Sequence, residues 1–329
     1  MHPIIKQIQT EILHGLPVSA SHIQKLPDLL PDCLLDLMAL ARLQASRLTP
    51  APFTCGIINA KSGNCSEDCS FCAQAACHAC AVPLYPRVSQ ADLQRRAEAL
   101  VKAKASYMGI VTSGKAPLAA DLDYFCAAVE RMAKNTPIKF CASFGLLSRS
   151  QALALRQAGF TSYHHNLESS RSFFPLICSS HSYEERLASI ENARSAGLRL
   201  CSGGIFGLGE SWAQRLELAF SLKELAVDSI PLNFLTAIQG TPLEAQPPLR
   251  PYEALGLVAL MRLVHSEADL VVCGGRKHVL GSWESHIFSA GANGLMTGAY
   301  LTTSGGAMDK DRAMMRNLGL LCSQSLALG

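Results

Sequence analysis

Apolar residues recur every three to four positions at the start of the chain. Ile4, Ile5, Ile8, Ile12 and Leu13 share one helical face, and the stretch from Leu29 to Leu43 repeats the pattern. Residues 1–48 are therefore expected to form an N-terminal helical extension and not a separate domain. Beyond it the period changes. Short runs rich in β-branched and aromatic residues alternate with amphipathic helical stretches, the pattern of βα units around a parallel sheet. Strands are predicted at 54–59, 106–113, 138–144, 161–168, 198–205, 230–237, 269–274 and 294–300, with helices between them such as 90–104, 147–158, 183–196, 212–225 and 252–265. Eight strands spread over roughly 250 residues predict an α/β fold, a closed (β/α)8 TIM-type barrel filling residues 49–329. An open six-stranded sheet is the alternative. No internal repeat or low-complexity linker marks a second domain.

Composition adds exclusions. Hydrophobic residues make up 49% and charged residues 17%, ample for a large buried core. The formal net charge is only +3 and no run of Lys or Arg stands out, so neither nucleic acid nor an anionic membrane is an expected partner. No segment approaches the ~18 uninterrupted apolar residues of a membrane span. The opening residues lack the basic and apolar regions of a secretory signal, and a cytoplasmic location is expected. In that setting thiols stay reduced, so thirteen cysteines point to metal or redox chemistry. Cys33, Cys55, Cys126, Cys178 and Cys322 show no spacing signal and are expected to serve as small core hydrophobes.

Three cysteines carry the strongest signal. Cys65, Cys69 and Cys72 stand at C-x3-C-x2-C on one short loop after the first predicted strand, at the end of a barrel where chemistry gathers. Three thiolates are one too few to close a tetrahedral zinc or cubane site, and a [4Fe–4S] cluster held this way keeps one iron open to a small molecule. A zinc knuckle completed by His78 is the plain alternative. The spacing, with Phe71 just before the last cysteine, resembles the signature of the radical S-adenosylmethionine (SAM) enzymes. That resemblance implies SAM chelated to the open iron, with Phe71 beside its adenine.

Further strings narrow the likeness: Tyr163-His164-His165-Asn166-Leu167-Glu168, Leu200-Cys201-Ser202-Gly203-Gly204-Ile205-Phe206-Gly207-Leu208-Gly209-Glu210, Ile230-Pro231-Leu232-Asn233-Phe234-Leu235, and Ser289-Ala290-Gly291-Ala292-Asn293-Gly294. With the cysteine loop they resemble the biotin synthase family, from about residue 50 to the C-terminus. The resemblance implies SAM-dependent radical insertion of sulfur into dethiobiotin to form biotin, the sulfur coming from an auxiliary Fe–S cluster. It implies a low-potential electron donor, flavodoxin or ferredoxin, and a homodimer. No side chain is expected to act as acid or base, because the cofactors carry the hard chemistry. By the same resemblance Asn166, Glu168 (where the family has Asp) and Arg186 contact SAM, Gly203 and Gly207 let the backbone approach the adenosyl group, and Asn233 meets the ureido ring. Period-two alternation puts His164, Asn166 and Glu168 on one strand face, expected to be the lumen, where such polar residues favour a ligand. His164 is taken with Asn233 as substrate-binding.

The auxiliary site departs from the family pattern of three strand cysteines and an arginine. Cys141 and Cys201 match two of the cysteines and Arg276 matches the arginine, but Tyr107 stands where the third cysteine belongs. Cys77 and Cys80 form a new C-x2-C pair, and Cys273 lies three residues before Arg276. The expected set is Cys77, Cys80, Cys141 and Cys201 around a [4Fe–4S] auxiliary cluster, with Cys273 able to replace any one of them. The alternative is a depleted [2Fe–2S] site. Two other readings compete: a related radical SAM barrel, of the methylornithine synthase or hydrogenase maturase type, and an Fe–S scaffold or electron carrier.

Overall fold

The structure is a computed structural model that describes residues 1–48, 52–298 and 307–320. Cys322 and the end of the last predicted strand, at 299–300, lie outside the described residues. Nine strand segments form one parallel sheet: β1 (Phe53–Lys61), β2 (Tyr107–Thr112), β3 (Lys139–Ser143), β4 (Phe160–His164), β5 (Arg199–Cys201), β6 (Gly204–Phe206), β7 (Ser229–Phe234), β8 (Asp269–Val272) and β9 (Gly294–Met296). β1 pairs with both β2 and β9, and β5 pairs with both β4 and β7, so the sheet closes on itself. β6 continues the stave begun by β5 along β7. The result is the eight-staved barrel that the βα alternation predicts, and not an open sheet.

Two predicted strands are cut short for local reasons. The 198–205 strand breaks around Gly203, which presses so close to β7 that a Cβ there would lie 2.0 Å from the Pro231 carbonyl oxygen. The 161–168 strand stops at His164, and Glu168 takes a left-handed φ of 66°. Such a φ is uncommon outside glycine, yet the chain beyond His164 stays against the next stave, with Leu167 N donating to Gly203 O at 3.0 Å and Glu168 bridging Gly204.

Twelve α-helices are described: α1 (Pro3–Leu13), α2 (Ala20–Ile23), α3 (Leu34–Ala45), α4 (Gln90–Lys102), α5 (Ala119–Ala133), α6 (Arg149–Gln157), α7 (Tyr183–Ser195), α8 (Trp212–Glu224), α9 (Pro251–Val264), α10 (Arg276–Leu280), α11 (His286–Ser289) and α12 (Met308–Asn317). Four outer helices start on capping boxes, Ser89 with Asp92, Ser148 with Gln151, Ser182 with Glu185 and Ser211 with Gln214. Each box satisfies backbone N–H groups that a helix start leaves without partners. α1 buries Ile5, Ile8 and Ile12 while Leu13 stays exposed. The predicted 29–43 helix begins only at Leu34, because Pro31 cannot sit inside an α-helix and its ring biases the preceding residue away from helical ψ. α3 packs across α9, which explains why α9 is apolar almost all round.

The core lies between barrel and helices. Met108 and Ile110 of β2 and Phe140 and Ala142 of β3 point outward and are fully buried there. Their alternates, Tyr107, Gly109 and Val111 on β2 and Cys141 and Ser143 on β3, line a lumen cavity of about 440 Å³. This barrel holds space where many hold side chains.

Candidate active site in the barrel lumen

At the upper mouth, Cys65, Cys69 and Cys72 line the cavity together with Phe71 and Glu67. Gly63 and Asn64, both at positive φ (76° and 50°), turn the chain sharply out of β1 into the cysteine loop. Gln74 ties the loop closed, its side-chain oxygen accepting from Ser62 Oγ (3.2 Å) and Gly63 N (3.1 Å) and its carbonyl from Cys65 N (3.0 Å). A second anchor joins it to the segment before α7. Asp68 accepts from Ser179 N and Ser180 N, both at 3.0 Å, and Ser70 N donates to Ile177 O at 2.9 Å. Slight burial raises the Asp68 carboxyl, but the serine hydrogen bonds outweigh it and hold the group well below the usual carboxylate range.

The loop fits an iron cluster better than a single ion. Burial pushes the Cys72 thiol up to about 11, so it stays neutral unless positive metal charge draws off its proton. Among the described residues the three-donor group with all ligand atoms within 4.8 Å is Cys69, Cys178 and His181, and not the C-x3-C-x2-C triad. The triad is thus spread wider than one ion needs. His78, the candidate knuckle ligand, has its Nδ1 at 2.9 Å from the Cys72 carbonyl and does not line the cavity.

Below the loop runs a polar belt. His164, His165, Asn166, Glu168, Arg186 and Asn233 all line the cavity. Although β4 ends at His164, the extended chain beyond it still delivers Asn166 and Glu168 to the lumen. Arg186 Nη1 donates to the Asn166 carbonyl (2.7 Å) and stands 3.8 Å from Glu168 Oε1. Asn166 Nδ2 donates to Glu168 Oε2 (3.2 Å), and its Oδ1 accepts from Gly203 N (3.1 Å). Burial raises the Glu168 carboxyl despite Arg186 and Asn166, which pull it the other way. Two buried atoms of the belt, His165 Nε2 and Arg186 Nε, have no hydrogen-bond partner among the described residues. Native interiors rarely leave such atoms bare, and a polar ligand would satisfy them. Asn233 is partly committed: its Oδ1 accepts from Gly274 N (3.0 Å) and its Nδ2 donates to Gly204 O (3.3 Å). One N–H and one lone pair remain for a ligand.

Deeper still, four cysteines from four staves line the same cavity: Cys55 on β1, Cys141 on β3, Cys201 on β5 and Cys273 just past β8. Register sets Cys141 beside Gly109, where β2 contributes no side chain, and Cys201 beside His164. His164 Nδ1 lies 3.4 Å from Cys201 Sγ, and burial pushes its pKa down to about 4, so the ring is neutral. Burial pushes the Cys141 thiol up to about 12. It also raises Cys201 well above the ordinary thiol value, with Cys141 and Cys55 adding to the effect, while a hydrogen bond with Cys55 and then burial raise Cys273. Neutral thiols at Cys141, Cys201 and Cys273 are a poor use of a lumen unless metal ionises them. Arg199 closes the floor beneath. Its Nη1 donates to the Tyr107 hydroxyl (2.6 Å), and Asp269 and Asp228 stand 3.4 Å and 3.7 Å away.

This arrangement corrects several sequence expectations. Cys77 is exposed and Cys80 half-buried, and neither lines the lumen. They follow the cysteine loop outward, so the expected Cys77–Cys80–Cys141–Cys201 set does not come together. Cys55, read as packing, faces the lumen instead. An interrupted alternation around it, with no second cysteine in register, left no signal. Arg276 is fully buried on α10, 2.8 Å from Glu284 and 2.9 Å from Asp311, and is absent from the cavity wall. Gly203 and Gly207 do not line the cavity either. Gly203 is small because of Pro231, and Gly207 takes φ 93° beside Leu249, its N–H donating to Glu210 Oε1 at 2.9 Å. Cys178, also read as packing, lies against the cysteine loop with its Sγ 3.7 Å from Cys69 Sγ.

Comparison with known proteins places this geometry. The Radical SAM superfamily model matches residues 60–222, and the Biotin and Thiamin Synthesis associated domain matches residues 231–321. Biotin synthase of Nitratidesulfovibrio vulgaris (strain DP4) is 51% identical over 287 residues, 87% of this chain and 80% of that protein. The chain belongs to the biotin synthase family. Biotin synthase of Trichlorobacter lovleyi is 42% identical over 324 residues and covers 98% of this chain and 97% of its own length. Among solved structures, methylornithine synthase superposes with a TM-score of 0.81 over 95% of both chains at 17% identity, a likeness of fold alone. As a radical SAM family, biotin synthases use SAM and a [4Fe–4S] cluster, which Cys65, Cys69 and Cys72 fit. The chain is an enzyme of this kind, and the electron-carrier reading falls away. No helix among the described residues is long and apolar enough to cross a membrane.

Proposed function

We propose that this chain converts dethiobiotin to biotin by radical sulfur insertion, with the sulfur drawn from an auxiliary Fe–S cluster held deep in the lumen. The observation that carries the reading is one cavity with two thiol sets, Cys65–Cys69–Cys72 at the mouth and Cys55–Cys141–Cys201–Cys273 below, separated by a polar belt. When bound, the mouth cluster and SAM supply a carbon-centred radical and the auxiliary cluster supplies sulfide. The chain's own residues orient and seclude. Arg186 and Asn166 offer donors to SAM, and Glu168 accepts from its hydroxyls. Asn233 offers the remaining N–H and lone pair of its amide to the ureido group, matching a urea's paired acceptor and donors. The Arg199–Tyr107 floor helps to keep bulk water from the reacting carbon, which suppresses quenching and holds the partners in contact.

Four soft ligands without an arginine favour a [4Fe–4S] auxiliary cluster over [2Fe–2S]. A low-potential donor such as flavodoxin or ferredoxin, a homodimer and a cytoplasmic location rest on the family resemblance. The test is anaerobic incubation of the reconstituted protein with SAM, a low-potential reductant and dethiobiotin. Biotin and 5′-deoxyadenosine should appear together. Deoxyadenosine without biotin would instead favour a methylornithine synthase-like or maturase-like reaction.

A further inference from the structure

Below the Arg199 floor, at the starts of the strands, the described residues enclose a second cavity of about 960 Å³. Lys139, Arg199, Lys223 and Glu267 on its wall are exposed, so it opens to solvent on the face opposite the cysteine loop. Phe53, Tyr107, Arg199, Asp228 and Asp269 line both this cavity and the lumen, so a single layer of side chains divides the two. Three of the deep thiols stand one step above that layer. Cys55, Cys141 and Cys201 each follow by two residues, on the same face of β1, β3 and β5, a residue that lines the basal cavity: Phe53, Lys139 and Arg199. Two residues of strand rise about 6.6 Å, one side-chain layer.

The dividing layer is lightly held. Arg199 Nη1 donates to the Tyr107 hydroxyl at 2.6 Å, and the Asp269 and Asp228 carboxylates stand 3.4 Å and 3.7 Å from its guanidinium. The Arg199 side chain is 43% exposed, as is that of Asp228. Ion pairs this open to water are screened and weak, so the guanidinium can swing outward without disturbing the core. The cavity also favours anions. Five basic residues line it against three carboxylates, and burial keeps His265 neutral. Lys139 Nζ stands 5.5 Å from the centroid of the Tyr107 ring, beside the dividing layer itself.

We propose that the basal cavity is the entry port through which hydrosulfide reaches the auxiliary thiols, with Arg199 as its plug. The inference rests on the function proposed above, in which each biotin formed removes sulfur from the lumen. During that reaction the mouth holds the SAM cluster, SAM and dethiobiotin, so replacement sulfur needs another way in. A small anion suits a positively lined passage one side chain thick. Transit is non-covalent: no bond forms or breaks and no electron moves. Closed, the plug keeps bulk water from the radical; open, it admits sulfur between turnovers.

Isotope exchange on the holoenzyme tests the port. Reconstituted protein with SAM and dethiobiotin, but no reductant, is incubated with ³⁴S-sulfide, desalted and then reduced. Mass spectrometry reads the ³⁴S fraction of the first biotin formed. The exchange is sulfide for sulfide, so charge and electron count are unchanged. Wild type should incorporate label with the mouth filled. K139E/K223E should make biotin normally but take up label about threefold more slowly in roughly 0.1 M salt, and the gap should widen as salt is lowered. R199A should take it up faster than wild type. In the cluster-free chain, iodoacetate and iodoacetamide, alike in size but not in charge, are compared at each cysteine by peptide mapping. K139E/K223E should lower the iodoacetate-to-iodoacetamide ratio at Cys141 and Cys201 and leave it unchanged at Cys65 and Cys72. Melting temperatures check that each variant is folded. Label that enters wild type only when SAM and dethiobiotin are absent overturns the proposal. So does an unchanged exchange rate, or an unchanged alkylation ratio, in K139E/K223E. If no biotin forms, the proposed function fails separately, and the alkylation ratios decide the port.

Discussion

Replacing Arg276 with methionine separates a structural arginine from a cluster ligand. Its guanidinium is wholly buried between Glu284 (2.8 Å) and Asp311 (2.9 Å), and Asp311 itself is only 3% exposed, with Thr297 Oγ1 donating to it at 2.8 Å. Removing one partner of a buried pair leaves an uncompensated charge and costs about 3–5 kcal/mol. For a chain of 329 residues, an unfolding entropy of about 2.1 cal/mol/K per residue converts each kcal/mol to roughly 1.5 °C. R276M should therefore melt about 4–7 °C below wild type. The double variant R276M/D311N should recover part of that loss, since the stranded carboxylate is gone. Iron and sulfide per reconstituted chain should stay at the wild-type level. A variant that melts like wild type but loses half its iron would refute the reasoning and return Arg276 to the auxiliary site.

Three further outcomes are expected. C77S/C80S should keep full iron and sulfide content, because neither thiol reaches the lumen; loss of one cluster by metal analysis would restore the C-x2-C pair as ligands. G203A should destabilise by about 1–3 kcal/mol, since its Cβ would meet the Pro231 carbonyl at 2.0 Å, while SAM affinity per cluster is unchanged; weakened SAM binding at full stability would point to an adenosyl contact instead. His265 is buried, and burial pushes its pKa down from the ordinary 6.5 to about 3. The unfolded chain takes up that proton first, so the stability His265 contributes is present above pH 6.5 and lost as pH falls toward 3, on the order of 5 kcal/mol at saturation. Urea titrations between these pH values should show a shallower fall for H265Q, and identical slopes would exclude the assignment.

Much of this was legible in the residues. The βα period specified the barrel because apolar runs and amphipathic stretches alternate without interruption, and C-x3-C-x2-C located the mouth because its ligands sit on one loop. What failed to show has a common physical origin. Cys55, Cys141, Cys201 and Cys273 lie on four staves far apart in sequence, and only closure of the sheet brings them together. Spacing reasoning instead favoured Cys77 and Cys80, which are near each other in sequence and point elsewhere. Arg276 misled for a related reason: it follows β8 as a cluster arginine would, yet the first turn of α10 swings it behind the wall to two carboxylates. Gly203 answers to a backbone neighbour on β7 that no local pattern reveals.

The central claim is that one lumen holds two iron–sulfur centres on disjoint sets of cysteines. Mössbauer spectroscopy of protein reconstituted with ⁵⁷Fe tests it most directly. Wild type should carry about eight irons per chain in two cubane environments, only one of which shifts on adding SAM, and C55S/C273S should retain just the SAM-responsive one. A wild-type chain with about four irons, or a double variant that keeps both environments, would contradict it.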